Sequence, residues 1–77
     1  MPIDSLPDWV LLQRRQVGER VRDLRVGRGL SQETLAELAG LDRKTIYRVE
    51  LGQYGTSIDH LALIAHALQA ATRDLFP

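Results

Sequence analysis

The chain has no cysteine in 77 residues, so disulfide staples, zinc-finger ligation and thiol catalysis are all excluded. Aromatic residues are scarce, with one Trp, two Tyr and one Phe, and the formal net charge is zero. No apolar run approaches the roughly 20 residues that a membrane span needs. Asp4 and Asp8 precede any apolar run, so the sequence predicts no secretory leader and a cytoplasmic protein. A 44% hydrophobic and 26% charged composition is too apolar for disorder and ordinary for one small globular domain. A chain of this length can hold several short helices around one core, not a large enzyme scaffold.

What the chain does have is Leu and Ala, thirteen and seven of them. Both favour helix, and no stretch of useful length alternates with period two. The fold class expected is all-α. Gly27 and Gly29, Gly40, and Gly52 and Gly55 punctuate segments of helical length. An N-terminal arm is expected over residues 1–8, followed by one domain over 9–77. The first helix starts near Asp8, a candidate cap, with Val10, Val17, Val21 and Leu24 as its inner stripe. Ser31 caps a second helix over 32–39, with Leu35, Ala36, Leu38 and Ala39 inward. Asp42 caps a third over 43–51, with Thr45, Ile46 and Val49 inward. Ser57 caps a fourth, burying Ile58, Leu61, Ile64, Ala65 and Leu68. Thr72 caps a last short turn holding Leu75 and Phe76.

Charge is unevenly spread. Residues 14–48 contain nine of the ten basic residues and carry a net +4, while both flanks are acidic. A basic middle in a neutral chain is a candidate anion-binding face. Other chemistry finds no support. His60 and His66 lie six residues apart, about 240° around a helix, and cannot share a metal. The Gly27–Gly29 pair is inter-helix punctuation rather than a phosphate loop, and no nucleophile–base–acid arrangement is present. Neither a cofactor nor an enzymatic activity is expected.

The segment QETLAELAGLDRKTIYRVEL, residues 32–51, reads as helix, tight turn, helix. Ala36 is small where two helices meet, Gly40 suits the turn, and Ile46 and Val49 pack the second helix on the first. An ordinary αα corner uses the same residues. The wider pattern is more specific. GLSQETLAELAGLDRKTIYRVELG, then SIDHLALIAHAL and DLF, resembles the Cro/repressor-type helix-turn-helix domain, also described as lambda-repressor-like or XRE family. The resemblance spans about residues 17–76 in four ordered blocks.

This resemblance implies a five-helix DNA-binding domain, here with an extended first helix, whose residues 43–51 enter the major groove of double-stranded DNA. It implies a sequence-specific transcriptional regulator of bacterial or phage type. Arg43, Lys44 and Arg48 match base-reading positions, and Tyr47 sits beside them. Gln32 matches a phosphate- or base-contacting position and Ser31 a phosphate-binding helix start. Arg25 and Glu50 match a charged pair that ties the first helix to the third. The chain departs from the family where Leu51 follows Glu50 and where the next loop lacks basic residues. Neutral hydrogen bonds from Gln53, Tyr54 and Thr56 are expected there instead. That departure keeps a second reading in play, an antitoxin- or adaptor-like interaction module that has lost strong DNA binding.

The apolar residues exceed what one core needs. Leu63 and Ala67 form a second stripe on the fourth helix, and Phe76 extends apolar surface toward the C-terminus. Two occupants are possible: a second copy, giving a homodimer, or Trp9, Leu11 and Leu12 of the same chain. The homodimer is expected, because a lone helix-turn-helix domain gains specific affinity by reading two half-sites.

Overall fold

A computed structural model describes residues 6–77. Four α-helices follow in order: α1 Asp8–Gly27, α2 Gln32–Ala39, α3 Arg43–Leu51 and α4 Ile58–Ala67. A single 3-10 turn, Thr72–Leu75, follows α4. Among the described residues there is no strand, and no helix is long and apolar enough to cross a membrane.

Among the described residues there are four α-helices, which corrects the expectation of five. At the end of α4 the backbone of Gln69 turns left-handed, φ 57°. Ala71 and Phe76 are extended, so only four residues between them can coil, and they close as one 3-10 turn. Asp74 holds that turn by accepting the Ala71 N–H at 3.0 Å, so Thr72 lies inside the turn rather than capping it. Leu75 is fully buried by the turn, while Phe76 stays partly exposed.

The other helix ends have local causes. The Ser31, Asp42 and Ser57 side chains accept the backbone N–H of Thr34, Thr45 and His60 at 3.0, 2.8 and 3.1 Å. Each satisfies one N–H left over at a helix start. Asp8 does not act this way: Pro7 occupies the cap position of α1 and Asp8 is its first helical residue. Of the arm expected over 1–8, residues 1–5 lie outside the described residues.

The core is built from Val17 and Val21 of α1, Leu35, Ala36 and Ala39 of α2, Ile46 and Val49 of α3, Leu61, Ile64, Ala65 and Leu68 of α4, and Leu75. Each large side chain buried there contributes roughly 1.5–3 kcal/mol. Of the residues expected in the core, Val10 and Thr45 are only half-buried, and Leu38 and Ile58 are exposed. Leu38 is 60% exposed, because the arc shared by Leu35, Ala36 and Ala39 lies about 100° away around α2. Ile58 is exposed in the first turn of α4, before the buried arc begins at Leu61. Leu24 is half-buried at the core edge. Arg20 ties the terminal turn to α1 by donating to the Asp74 carbonyl at 3.0 Å.

Candidate nucleic-acid interface

The turn between α2 and α3 is set by three residues. Gly40 closes α2 at φ 72°, a left-handed conformation that costs a side-chain-bearing residue about 1 kcal/mol or more. The Leu41 N–H then returns to the Ala36 carbonyl at 2.9 Å, which turns the chain back on α2. Asp42 starts α3 by accepting both the Thr45 N–H and the Thr45 hydroxyl, at 2.8 and 2.7 Å. These two bonds, the hydroxyl first, hold the Asp42 carboxyl below its ordinary range, with Arg48 and Lys44 adding smaller charge effects.

The orientation of α3 is fixed at its other end. Glu50 accepts from Arg25 through both carboxylate oxygens, Nε to Oε2 at 2.7 Å and Nη2 to Oε1 at 3.0 Å. The remaining Arg25 nitrogen, Nη1, donates to the Leu30 carbonyl at 2.9 Å. The two side chains are only 12% and 5% exposed, so this bidentate pair is largely shielded from water. The hydrogen bond to Glu50 raises the Arg25 pKa above its ordinary value, against the opposing effect of burial.

Gln32 joins this pair to the exposed surface. Its Nε2 donates to Glu50 Oε1 at 3.2 Å, and its Oε1 accepts from Arg43 Nη1 at 3.2 Å. One polar chain therefore runs Leu30 carbonyl, Arg25, Glu50, Gln32, Arg43, across α1, α2 and α3. The structure thus brings together four residues singled out in the sequence and half-buries Gln32 at the first position of α2. Lys44, Tyr47 and Arg48 are exposed on α3 beside Arg43, and Ser31 is exposed at the start of α2. Gln53 is exposed in the loop after α3 and makes no side-chain hydrogen bond among the described residues. The Arg48 guanidinium lies 5.7 Å from the centre of the Tyr54 ring, a cation–π distance that links the loop to α3.

Gly18 and Arg14 were not picked out in the sequence, and Gly52 was picked out only as the end of a helix. Gly18 sits mid-helix in α1, and a Cβ there would lie 2.7 Å from the Glu50 carbonyl oxygen, with the Val49 carbonyl nearer still. Gly52, at φ 67°, brings the end of α3 against the Arg15 backbone, where a Cβ would lie 2.5 Å from Arg15 Cα. The crossing of α1 over α3 therefore depends on a glycine from each side. A glycine inside a 20-residue helical pattern was the available signal, since it weakens a helix unless something approaches closely. The other omission is Arg14, whose guanidinium lies over Gly55 in the loop.

The residues proposed for assembly do not share one concavity. Leu63 is 45% exposed, and Trp9, Leu11 and Leu12 are exposed as well. Ala67 is half-buried and lines a shallow groove with Leu38, His66 and Gln69. Phe76 lines a different groove, of about 210 Å³, with Val10, Val17 and Leu61.

Comparison with known proteins agrees with this geometry. The helix-turn-helix family HTH_3 matches residues 21–75. An uncharacterised HTH-type transcriptional regulator of Archaeoglobus fulgidus is 39% identical over 57 residues, 74% of this chain and 81% of that protein. Among solved structures, the restriction-modification controller protein C.AhdI from Aeromonas hydrophila is 44% identical, with a TM-score of 0.81 over 86% of this chain and 96% of that one. The biofilm-formation regulator SinR, solved in complex with DNA, is 28% identical, with a TM-score of 0.72 over 77% of this chain and 95% of that one.

Proposed function

The chain belongs to the HTH_3 family of helix-turn-helix transcriptional regulators, and from that premise we propose that it is a sequence-specific DNA-binding regulator that acts as a homodimer. The observation that carries the reading is the exposed row Arg43, Lys44 and Arg48 on a helix whose pose is held by the Arg25–Glu50–Gln32 network. Arg43 and Lys44 lie in the first turn of α3, the end that reaches base edges when such a helix enters a major groove. An arginine there meets the O6 and N7 of guanine with two parallel hydrogen bonds. Arg43 is also the end member of the network, so its side chain is partly ordered before any DNA arrives, which lowers the entropy cost of readout. Ser31 and the free N–H groups at the start of α2 suit a phosphate, and the likeness to SinR, solved in complex with DNA, supports DNA as the partner.

The homodimer rests on the uncovered stripe of α4. Leu63 is exposed on α4, Ala67 one turn on is half-buried at the core edge, and Leu38 of α2 extends the apolar surface. A two-fold contact there buries it and presents two recognition helices, which read half-sites about 34 Å apart. Selection of bound sequences from a random duplex pool tests the proposal. A two-fold symmetric site bound far more tightly than random duplex is expected. Equal binding of all sequences contradicts it.

A further inference from the structure

The loop that follows α3, Gly52 to Thr56, contains no basic residue, yet a cation stands over it. Arg14 reaches across from α1 so that its Nη2 is 3.1 Å, and its Cζ 3.8 Å, from the point where a Gly55 Cβ would be. A Cβ at Gly55 would crowd the guanidinium and oblige this flexible side chain to shift by a few tenths of an ångström. Arg14 and Arg48 line two neighbouring grooves that have Tyr54, Gly55 and Thr56 in common. A continuous strip therefore runs from the exposed face of α3, over the Tyr54 ring that Arg48 faces, to the Arg14 guanidinium.

How this arginine differs from its neighbours decides what it does. Arg20 and Arg25 are struts: each donates to a backbone carbonyl of another segment, at 3.0 and 2.9 Å, and Arg25 also holds a carboxylate. Arg28 donates to Gln69 at 2.8 Å. Arg14 is half-buried, yet among the described residues it donates no hydrogen bond and has no carboxylate within ion-pairing distance. Its N–H fork reaches solvent and has no acceptor among the described residues. A planar fork of this kind matches the oxygens of a phosphodiester.

We propose that Arg14 is a backbone-phosphate ligand lent by the first helix to the loop after the recognition helix, taking the part that a basic residue of that loop would otherwise play. The inference rests on the DNA-binding reading above. It makes Arg14 a contributor to affinity that is blind to sequence, because a phosphate contact carries no base information.

The test is the salt dependence of binding by the full chain, measured by fluorescence anisotropy on a preferred and on a random duplex. Removing one phosphate ligand lowers the slope of log affinity against log salt by about 0.9. Arg14→Gln is expected to lower the slope by about that amount per protomer, equally on both duplexes, with the melting temperature unchanged. Arg14→Lys, which keeps the charge, is expected to retain most of the slope. An Arg14→Gln protein with the wild-type slope overturns the proposal and leaves the DNA-binding reading standing. A wild-type chain with no salt-dependent affinity for either duplex overturns both. A fall in melting temperature with no change in slope assigns Arg14 to loop support and also overturns it.

Discussion

Gln32 Nε2 donates to Glu50 Oε1 at 3.2 Å, so the first residue of α2 is hydrogen-bonded to the last turn of α3. The same Glu50 oxygen already accepts from Arg25, and the other end of the Gln32 amide accepts from Arg43. One buried carboxylate thus sets the relation of three helices and reaches a surface side chain. Stability and readout share a residue here, and the two are expected to fail together.

Glu50→Gln tests that sharing. It leaves the part-buried Arg25 without a counter-charge while keeping one acceptor oxygen, a loss of about 2 kcal/mol. In a domain of this size that lowers the melting temperature by roughly 10 °C or more. DNA affinity is expected to fall as well, although Glu50 itself touches no base. A variant with wild-type melting temperature and wild-type affinity shows that the network does neither job.

Gly18→Ala separates local propensity from packing. On propensity alone, alanine inside α1 stabilises by about 1 kcal/mol. Its Cβ would stand 2.7 Å from the Glu50 carbonyl oxygen, which is backbone and cannot rotate away. The helices have to part, and the overpacking cost of roughly 1–3 kcal/mol is expected to exceed the propensity gain. Chemical denaturation gives the sign: a lower midpoint is expected, and a higher one removes the close crossing.

Much of the fold is written locally. The ends of α2 and α3 are marked by side-chain caps at Ser31 and Asp42 and by left-handed glycines at Gly40 and Gly52, all within a few residues of the helices they bound. The partnership of Arg25 with Glu50 is 25 residues long and entered only through the family resemblance; no spacing rule contains it. Leu38 and Ile58 look like core by type, and only the final arc of each helix shows otherwise. Gly18 and Arg14 act across the crossing of α1 with α3 and its following loop, a tertiary approach that no single segment encodes. The fifth helix failed for a local reason that the residue types hide, because Gln69 takes a backbone conformation usually given to glycine.

Acid should weaken the start of α3. The Asp42 carboxyl is held below its ordinary range in the folded chain by the Thr45 hydroxyl and N–H. A carboxyl depressed on folding adds stability above its unfolded pKa, about 4, and loses that contribution as the pH falls through that value toward the folded one. Asp42→Asn keeps a capping oxygen without the charge. Wild type is expected to exceed this variant in stability at neutral pH, with the gap closing below about pH 4. A gap that is constant from neutral to acid pH contradicts the assignment.

Leu63→Glu places a charge in the exposed stripe of α4 without touching the core side of the helix, where Leu61 and Ile64 pack. A folded monomer with much weaker binding to a two-fold site is expected by sedimentation and anisotropy. A variant that still dimerises, or binds DNA normally, places the assembly surface elsewhere.

Base reading by the first turn of α3 is tested by the affinity of Arg43→Ala on its preferred duplex and on random duplex at one fixed salt concentration. A loss of about 1–3 kcal/mol on the preferred site, with little loss on random DNA and a relaxed preference at one base position, is the expected result. An equal loss on both duplexes, with the preference for every base intact, would show that Arg43 holds only phosphate and would contradict the claim.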